Sequence, residues 1–289
     1  VPAPSGPLLA VDAPWLLYRS HFGLPASITD ASGRPVNALL GTANALLATV
    51  AEFRPRAVAV CFGAEDAVYR VKLFDGYHAA RDPMPAELRR QFRCAKDLFA
   101  AFGWTVADAG DLEADDLLGA YAKREAQDGG TTLILTADRD LYQCTDAHTE
   151  VVHLKSGSYE RVDVAGVQAR YGIAPAQVPD LIALRGDPSD GIPGAPGIGA
   201  KTAASLLSRF GSLEGVLDQA NAGVRSELRP KLAETLRDSA DLLRVFREVA
   251  TLVEIDVDRP ENAELDRGAA AAAASALGMG QLAGRLLGP

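Results

Sequence analysis

The first two-thirds of the chain alternates short apolar runs with segments whose apolar residues recur at helical spacing. The strand-like runs are Leu8-Leu9-Ala10-Val11, Ala57-Val58-Ala59-Val60-Cys61-Phe62, Leu133-Ile134-Leu135 and Glu150-Val151-Val152-His153-Leu154. A strand that is apolar along its whole length is buried on both faces, as in a parallel sheet covered by helices. Between the runs, residues 36–53 place Leu39, Leu40, Ala43, Leu46, Leu47 and Val50 at helical intervals, and residues 112–126 read the same way. An α/β protein with a mainly parallel sheet and right-handed crossovers is expected. From about Pro175 the pattern changes to short helices separated by Gly and Pro, expected at 201–210, 212–219 and 231–252. The alanine run 269–274 favours helix. A chain of 289 residues accommodates two domains, expected at 1–174 and 175–289.

Composition excludes other classes. With 48% hydrophobic and 23% charged residues, this is an ordinary globular chain, not a disordered one. Cys61, Cys94 and Cys144 lack the number and spacing of a disulfide framework or a metal site, so reduced cytosolic thiols are expected. No segment has the apolar length of a membrane span. Val1-Pro2-Ala3-Pro4 lacks the charged and apolar regions of a signal peptide, and the missing initiator methionine is read as trimming or processing. The net charge of −9, taken as a sum, disfavours a nucleic-acid partner. Its distribution changes that reading, because eight of the carboxylates fall in four short motifs.

Asp12 follows the first apolar run, and Asp138 and Asp140 follow the third. Ligands of open α/β sheets bind beyond the carboxyl ends of the strands, so these groups converge if their strands are neighbours. Glu113, Asp115 and Asp116 open a helix. Positions 113 and 116 share a face, but a helix N-terminus also tolerates negative charge, and Asp111 is a candidate cap. Taken alone, that cluster reads equally as cap or ligand. Asp187 and Asp190 lie in Gly186-Asp187-Pro188-Ser189-Asp190-Gly191, which alone reads as a turn. The conjunction argues for function. Unpartnered carboxylates brought together raise one another's pKa. Hard oxygen ligands select Mg²⁺ or Mn²⁺, and two such ions about 4 Å apart could activate water on a phosphodiester. His21, His78, His148 and His153 show no ligand spacing.

The segment Pro193-Gly194-Ala195-Pro196-Gly197-Ile198-Gly199-Ala200-Lys201-Thr202 precedes a helix. Gly194 and Gly199 have the separation of a P-loop, but Ala200 intrudes before Lys201 and no strand precedes it, so the P-loop is rejected. Gly197-Ile198-Gly199 between two helices suits a helix–hairpin–helix, in which glycines admit a DNA phosphate to the following helix N-terminus. Such contacts read the DNA backbone and not the sequence. Residues 75–93 are polar and basic and are expected to protrude, partly helical, over the sheet's edge.

In this order and spacing, the motifs resemble the 5′-nuclease, or flap endonuclease, family over nearly the whole chain. The likeness is greatest to the 5′-nuclease domain of bacterial DNA polymerase I and to stand-alone bacterial members. It implies a PIN-like α/β lobe with a helical arch and a helix–three-turn–helix lobe. The implied activity is divalent-metal-dependent 5′-flap endonuclease and 5′-3′ exonuclease action on DNA in replication and repair. Two ions of Mg²⁺ or Mn²⁺ are implied. Asp12, Glu113, Asp115 and Asp116 match the residues gathered at one, and Asp138, Asp140, Asp187 and Asp190 those at the other. A potassium ion is implied near residues 197–199. Residues 75–93 match the arch, with Tyr77, His78 and Arg81 in its motif and Arg81 on the scissile phosphate. Arg70 matches an arginine on the approach to the arch, and Gly197, Gly199, Lys201 and Thr202 complete the DNA contacts. A monomeric, cytoplasmic, nucleoid-associated bacterial protein is implied. Two departures stand out. Gly63 follows Phe62 where the family has aspartate, leaving a ligand to be supplied by Glu65, Asp66 or water. His78 replaces an arch lysine and is a weaker electrostatic partner. They leave open an alternative, a flap- or junction-binding relative that does not cut. An aspartyl phosphotransferase ranks below both, because Asp12-Ala13-Pro14 lacks the second aspartate.

Overall fold

The computed structural model describes residues 6–288; the reading of residues 1–4 lies outside them. Six strands form one sheet: β1 (Leu8–Asp12), β2 (Ala57–Phe62), β3 (Thr105–Asp108), β4 (Thr132–Leu135), β5 (Thr149–Leu154) and β6 (Tyr159–Val162). Their order is β3-β2-β1-β4-β5-β6, with β1 to β5 parallel and β6 antiparallel to β5. β1, β2 and β4 are buried throughout, as their unbroken apolar runs require. β3 and β6 were not expected from the sequence. They are short edge strands, only partly apolar.

The helices before β6 are α1 (Ala13–Gly23), α2 (Asn37–Phe53), α3 (Val68–Leu73), α4 (Ala86–Ala100) and α5 (Ala114–Gln127). After it come α6 (Val164–Tyr171), α7 (Val178–Arg185), α8 (Ala200–Phe210), α9 (Leu213–Asn221), α10 (Pro230–Asp238), α11 (Ala240–Ala250), α12 (Arg267–Ala276) and α13 (Gly280–Leu287). Alternation along β1 divides the core between the two faces of the sheet. Leu9 and Val11 pack with α1, α2, α4, α12 and α13. Leu8 and Ala10 pack with α5 and the helices from α7 to α11.

Two expectations need correcting. The arch does not protrude over the whole of residues 75–93: residues 79–83 are exposed, but buried residues flank them on both sides. Its second half is the start of α4, which buries Leu88, Ala95, Leu98 and Phe99. Gln91 lies on the same face, and its side-chain oxygen accepts from Ala38 N (2.8 Å) and Leu39 N (3.2 Å), capping α2 from outside. In the connection between α3 and α4, Tyr77, His78 and Met84 are themselves buried. The helix expected at 231–252 is two, α10 and α11, interrupted at Ser239. The helices after residue 174 divide between the two faces, α7 to α11 on one and α12 and α13 on the other.

Candidate active site

β1 pairs with β4, so Val11 lies beside Leu135 and the loops after both strands open at one end of the sheet. The chain runs from β1 to β2 on one side and returns to β4 on the other. A crevice forms at such a switch point. Here it is a cleft of about 430 Å³, whose lining includes Asp12, Glu113, Asp115, Asp138, Asp140 and Asp190. Trp15, Tyr18, Arg81 and Phe92 also line it.

Asp12 ends β1 and caps α1. Its Oδ1 accepts from Trp15 N (3.0 Å) and its Oδ2 from Thr136 Oγ1 (2.6 Å). Thr136 in turn accepts from Asp138 N (3.0 Å), and Asp138 Oδ1 accepts from Asp140 N (2.8 Å). These successive side-chain turns fold the loop after β4 back on itself. Burial raises the pKa of Asp12 despite its two hydrogen bonds. It also raises Asp115 well above the carboxylate range, with Asp138, Asp12 and Glu113 adding to it. Asp140 is raised by burial and by the charges of Asp138, Asp190 and Asp187. Asp138 is pushed up to about 7, by burial first.

The remaining predicted residues have other posts. Asp116 is fully buried beside Arg70, outside the cleft. Its Oδ1 accepts from Arg70 Nη2 (2.7 Å) and Val253 N (2.9 Å). Glu113 lines the cleft but is engaged by Ala67 N (2.7 Å), Arg70 Nη1 (2.8 Å) and the Tyr77 hydroxyl (2.9 Å). Arg70, expected on the approach to the arch, is only 3% exposed and also donates to Val249 O. Asp187 is held by Ser189 N (2.9 Å) and lies 3.4 Å from Arg185. Asp190 Oδ1 is 3.1 Å from His78 Nε2, and His78 Nδ1 is 2.6 Å from Asp66. His78 has a left-handed backbone (φ 54), its N–H donates to Asp190 O, and its ring stacks on Tyr77. Arg81 stands at the mouth, half exposed, 3.9 Å from Asp190. Gly197, Gly199, Lys201 and Thr202 are exposed on the hairpin and the first turn of α8.

Gly63 is explained by packing. A β-carbon there would come within 2.5 Å of Leu112 O and 2.6 Å of Ala114 N. Of the two suggested substitutes, Glu65 lines the cleft and accepts from the Tyr18 hydroxyl, and Asp66 meets His78. Sequence reasoning missed Thr136. The available signal was its place two residues before Asp138, where a hydroxyl closes a turn onto the following N–H.

As they stand, Asp12, Asp138, Asp187 and Asp190 are drawn into bonds with the protein, and among the described residues no three His, Cys, Asp or Glu already enclose an ion. Their chemistry nonetheless fits a hard divalent cation. The cluster's carboxylates are oxygen donors, they crowd together, and burial pushes the pKa of several of them upward.

Residues 7–172 match the family described as 5′-3′ exonuclease, N-terminal resolvase-like domain, and residues 173–271 the 5′-3′ exonuclease, C-terminal SAM fold. The chain belongs to the 5′-3′ exonuclease family. It is 36% identical to the 5′-3′ exonuclease of Mycobacterium tuberculosis, covering 88% of each chain. It is 37% identical to the thermostable DNA polymerase I of Thermus thermophilus over 91% of its own length. It spans about a third of that polymerase, 31%. The fold is that of T5 5′-exonuclease, solved with bound divalent zinc ions (TM-score 0.70, 17% identity, 97% and 98% of the two chains). The catalytic core of Rad2 in complex with DNA substrate shares it (TM-score 0.65, 17% identity, 98% and 93%). These likenesses do not favour the non-cutting alternative. No helix among the described residues is long and apolar enough to cross a membrane.

Proposed function

We propose that this chain is a divalent-metal-dependent 5′ nuclease that cleaves 5′ flaps and degrades 5′ ends of DNA. One observation carries the reading: Asp12, Asp115, Asp138 and Asp140 meet in one cleft at the carboxyl ends of β1 and β4, where burial and then their neighbours' charges raise the pKa of Asp115 and Asp140. Mg²⁺ or Mn²⁺, two ions in all, is the proposed cofactor; when bound it would activate water and neutralise the scissile phosphate. Asp12, Asp115, Asp138 and Asp140 would hold the ions, with Asp190, Asp187 and Glu113 behind them. Asp116 acts through its bond to Arg70, not as a direct ligand. Arg81, at the mouth, would bind the scissile phosphate and stabilise charge as it develops. His78 would hold Asp190 in place. The hairpin at 197–199, with Lys201 and Thr202, would grip the duplex backbone, with a potassium ion on its carbonyls. We keep a division near residue 174, and a monomer acting in the bacterial cytoplasm.

Single-turnover cleavage of a labelled 5′-flap substrate tests this, in Mg²⁺ or Mn²⁺, with Asp138→Asn alongside. Metal-dependent cutting near the junction, lost in the variant, is expected. Tight flap binding without cutting in either metal would overturn it in favour of a binding protein.

A further inference from the structure

We infer that His153, held by Tyr142, is a positioning residue for the carboxylate cluster: one imidazole ties together both ends of the segment that carries Asp138 and Asp140. This rests on the nuclease reading above and goes beyond it. His153 lies on β5 behind the cleft and is 7% exposed. Its Nδ1 is 2.7 Å from the carbonyl oxygen of Thr136, and its Nε2 is 2.6 Å from the Tyr142 hydroxyl. A carbonyl only accepts, so Nδ1 carries the proton, Nε2 is the acceptor and Tyr142 donates. Every hydrogen-bonding atom of the pair is thereby satisfied.

The two anchor points bracket the acidic segment. Thr136 directly follows β4, and its hydroxyl orients both Asp12 Oδ2 and Asp138 N–H. Tyr142 sits in the 3-10 turn that Asp140 begins. The segment between them carries two carboxylates that repel each other and also Asp190. Repulsion favours splaying, and a clamp at both ends opposes it. A strand buried as β5 is at this point needs only an apolar side chain for packing. A buried imidazole with two short hydrogen bonds instead fixes the peptide plane of Thr136. Partners that orient the groups around a metal commonly change its affinity when removed.

The probe is Mn²⁺ alone, with free ion counted by electron paramagnetic resonance on the full chain without DNA. His153→Phe keeps the ring area and loses both bonds; about tenfold weaker Mn²⁺ binding is expected. His153→Asn presents a donor where Nδ1 stood and should recover most of it. Tyr142→Phe frees one end of the clamp and should weaken binding about two- to threefold. With DNA present, the Mn²⁺ concentration for half-maximal cleavage should rise in His153→Phe, with the rate at saturating Mn²⁺ within about twofold of wild type. A His153→Phe protein that melts at lower temperature but binds Mn²⁺ like wild type would make His153 a packing residue and overturn the inference. Should that variant not fold, unchanged Mn²⁺ binding in Tyr142→Phe overturns it equally. Wild type and Asp138→Asn binding Mn²⁺ alike would instead sink the nuclease reading itself.

Discussion

A β-carbon on Gly63 would press on backbone atoms at the start of α5, which cannot yield without moving Glu113 and Asp115. Gly63→Ala and Gly63→Asp should therefore destabilise alike, by about 1–3 kcal/mol. The aspartate should bring no gain in Mn²⁺ affinity. Denaturant melts and Mn²⁺ titrations of the pair decide this; a Gly63→Asp protein as stable as wild type and tighter for Mn²⁺ would revive the missing-ligand reading. Asp138 sets a second expectation. Its carboxyl is pushed up to about 7 by burial and by the charges of Asp190, Asp12 and Asp187, against the Asp140 N–H that lowers it. Unfolded, it ionises near pH ~4. Across the window from about 4 to 7 the folded state holds the extra proton, so stability falls as pH rises and stays reduced above it. Asp138→Asn keeps the acceptor for Asp140 N–H and removes the charge. At pH 8, without metal, it should be more stable by about 1 kcal/mol after allowing for solvent in the cleft, or ~2 °C in Tm. The gain should shrink towards pH 5. Thermal melts with chelator across this range check the sign, and a variant less stable than wild type at pH 8 contradicts it. Asp12, Asp138 and Asp140 were legible because strand ends can be read from apolar runs. Asp116 was not: its spacing shows that it shares a face with Glu113, but not that Arg70 waits on the far side.

The hairpin between α7 and α8 makes a prediction of its own. Gly197 has φ 75, which favours glycine, whereas Gly199 has an ordinary backbone (φ −89) and caps α8, and a β-carbon added there would meet nothing within 4 Å. Gly199→Asp should thus keep or raise stability, because aspartate is a good cap. Its charge would face the DNA phosphates, so duplex affinity should fall about tenfold, or ~1.4 kcal/mol. Gly199→Asn, a neutral cap, should lose less. Fluorescence anisotropy with a duplex probe reads this out, and equal affinity in all three would remove the hairpin from the interface. The turn and the helix after it were legible from glycine spacing alone. Elements were lost where periodicity misleads. Leu236, Leu243 and Phe246 keep helical spacing across the interruption at Ser239, so two helices read as one. α4 was read as an arch because Arg89, Arg90 and Arg93 dominate its first half, while Leu98 and Phe99, which show its buried face, come later.

At the scale of the whole molecule, residues 252–266 run without regular structure from α11 to α12 and strap the two faces of the sheet together. Val253 N donates to Asp116, Ala263 N to Arg56 O (3.0 Å) and Asp266 N to Phe102 O (3.0 Å). The fastening at its centre is Glu125, 1% exposed, which accepts from Arg56 Nε (2.9 Å) and from Arg259 on the strap (2.8 and 3.0 Å). Arg56 also donates to Pro260 O (2.7 Å). Burial alone would raise the Glu125 pKa, but its bonds to Arg259 and Arg56 bring it down to about 2. A carboxylate lowered in the folded state stabilises fully above its unfolded value, near ~4.5, and that stability is lost as pH falls towards 2. Glu125→Ala leaves Arg56 buried and unpaired, and should cost about 3–5 kcal/mol at pH 7. The variant should also lose less than wild type on acidification through that window. The strap should become the first site of proteolytic nicking, because two of its anchors go with the carboxylate. Denaturant melts at pH 7 and 4 and mapped limited proteolysis follow both effects. A variant that melts early but is cut no faster within 252–266 would show that the strap holds by its backbone bonds, and that Glu125 serves the core alone.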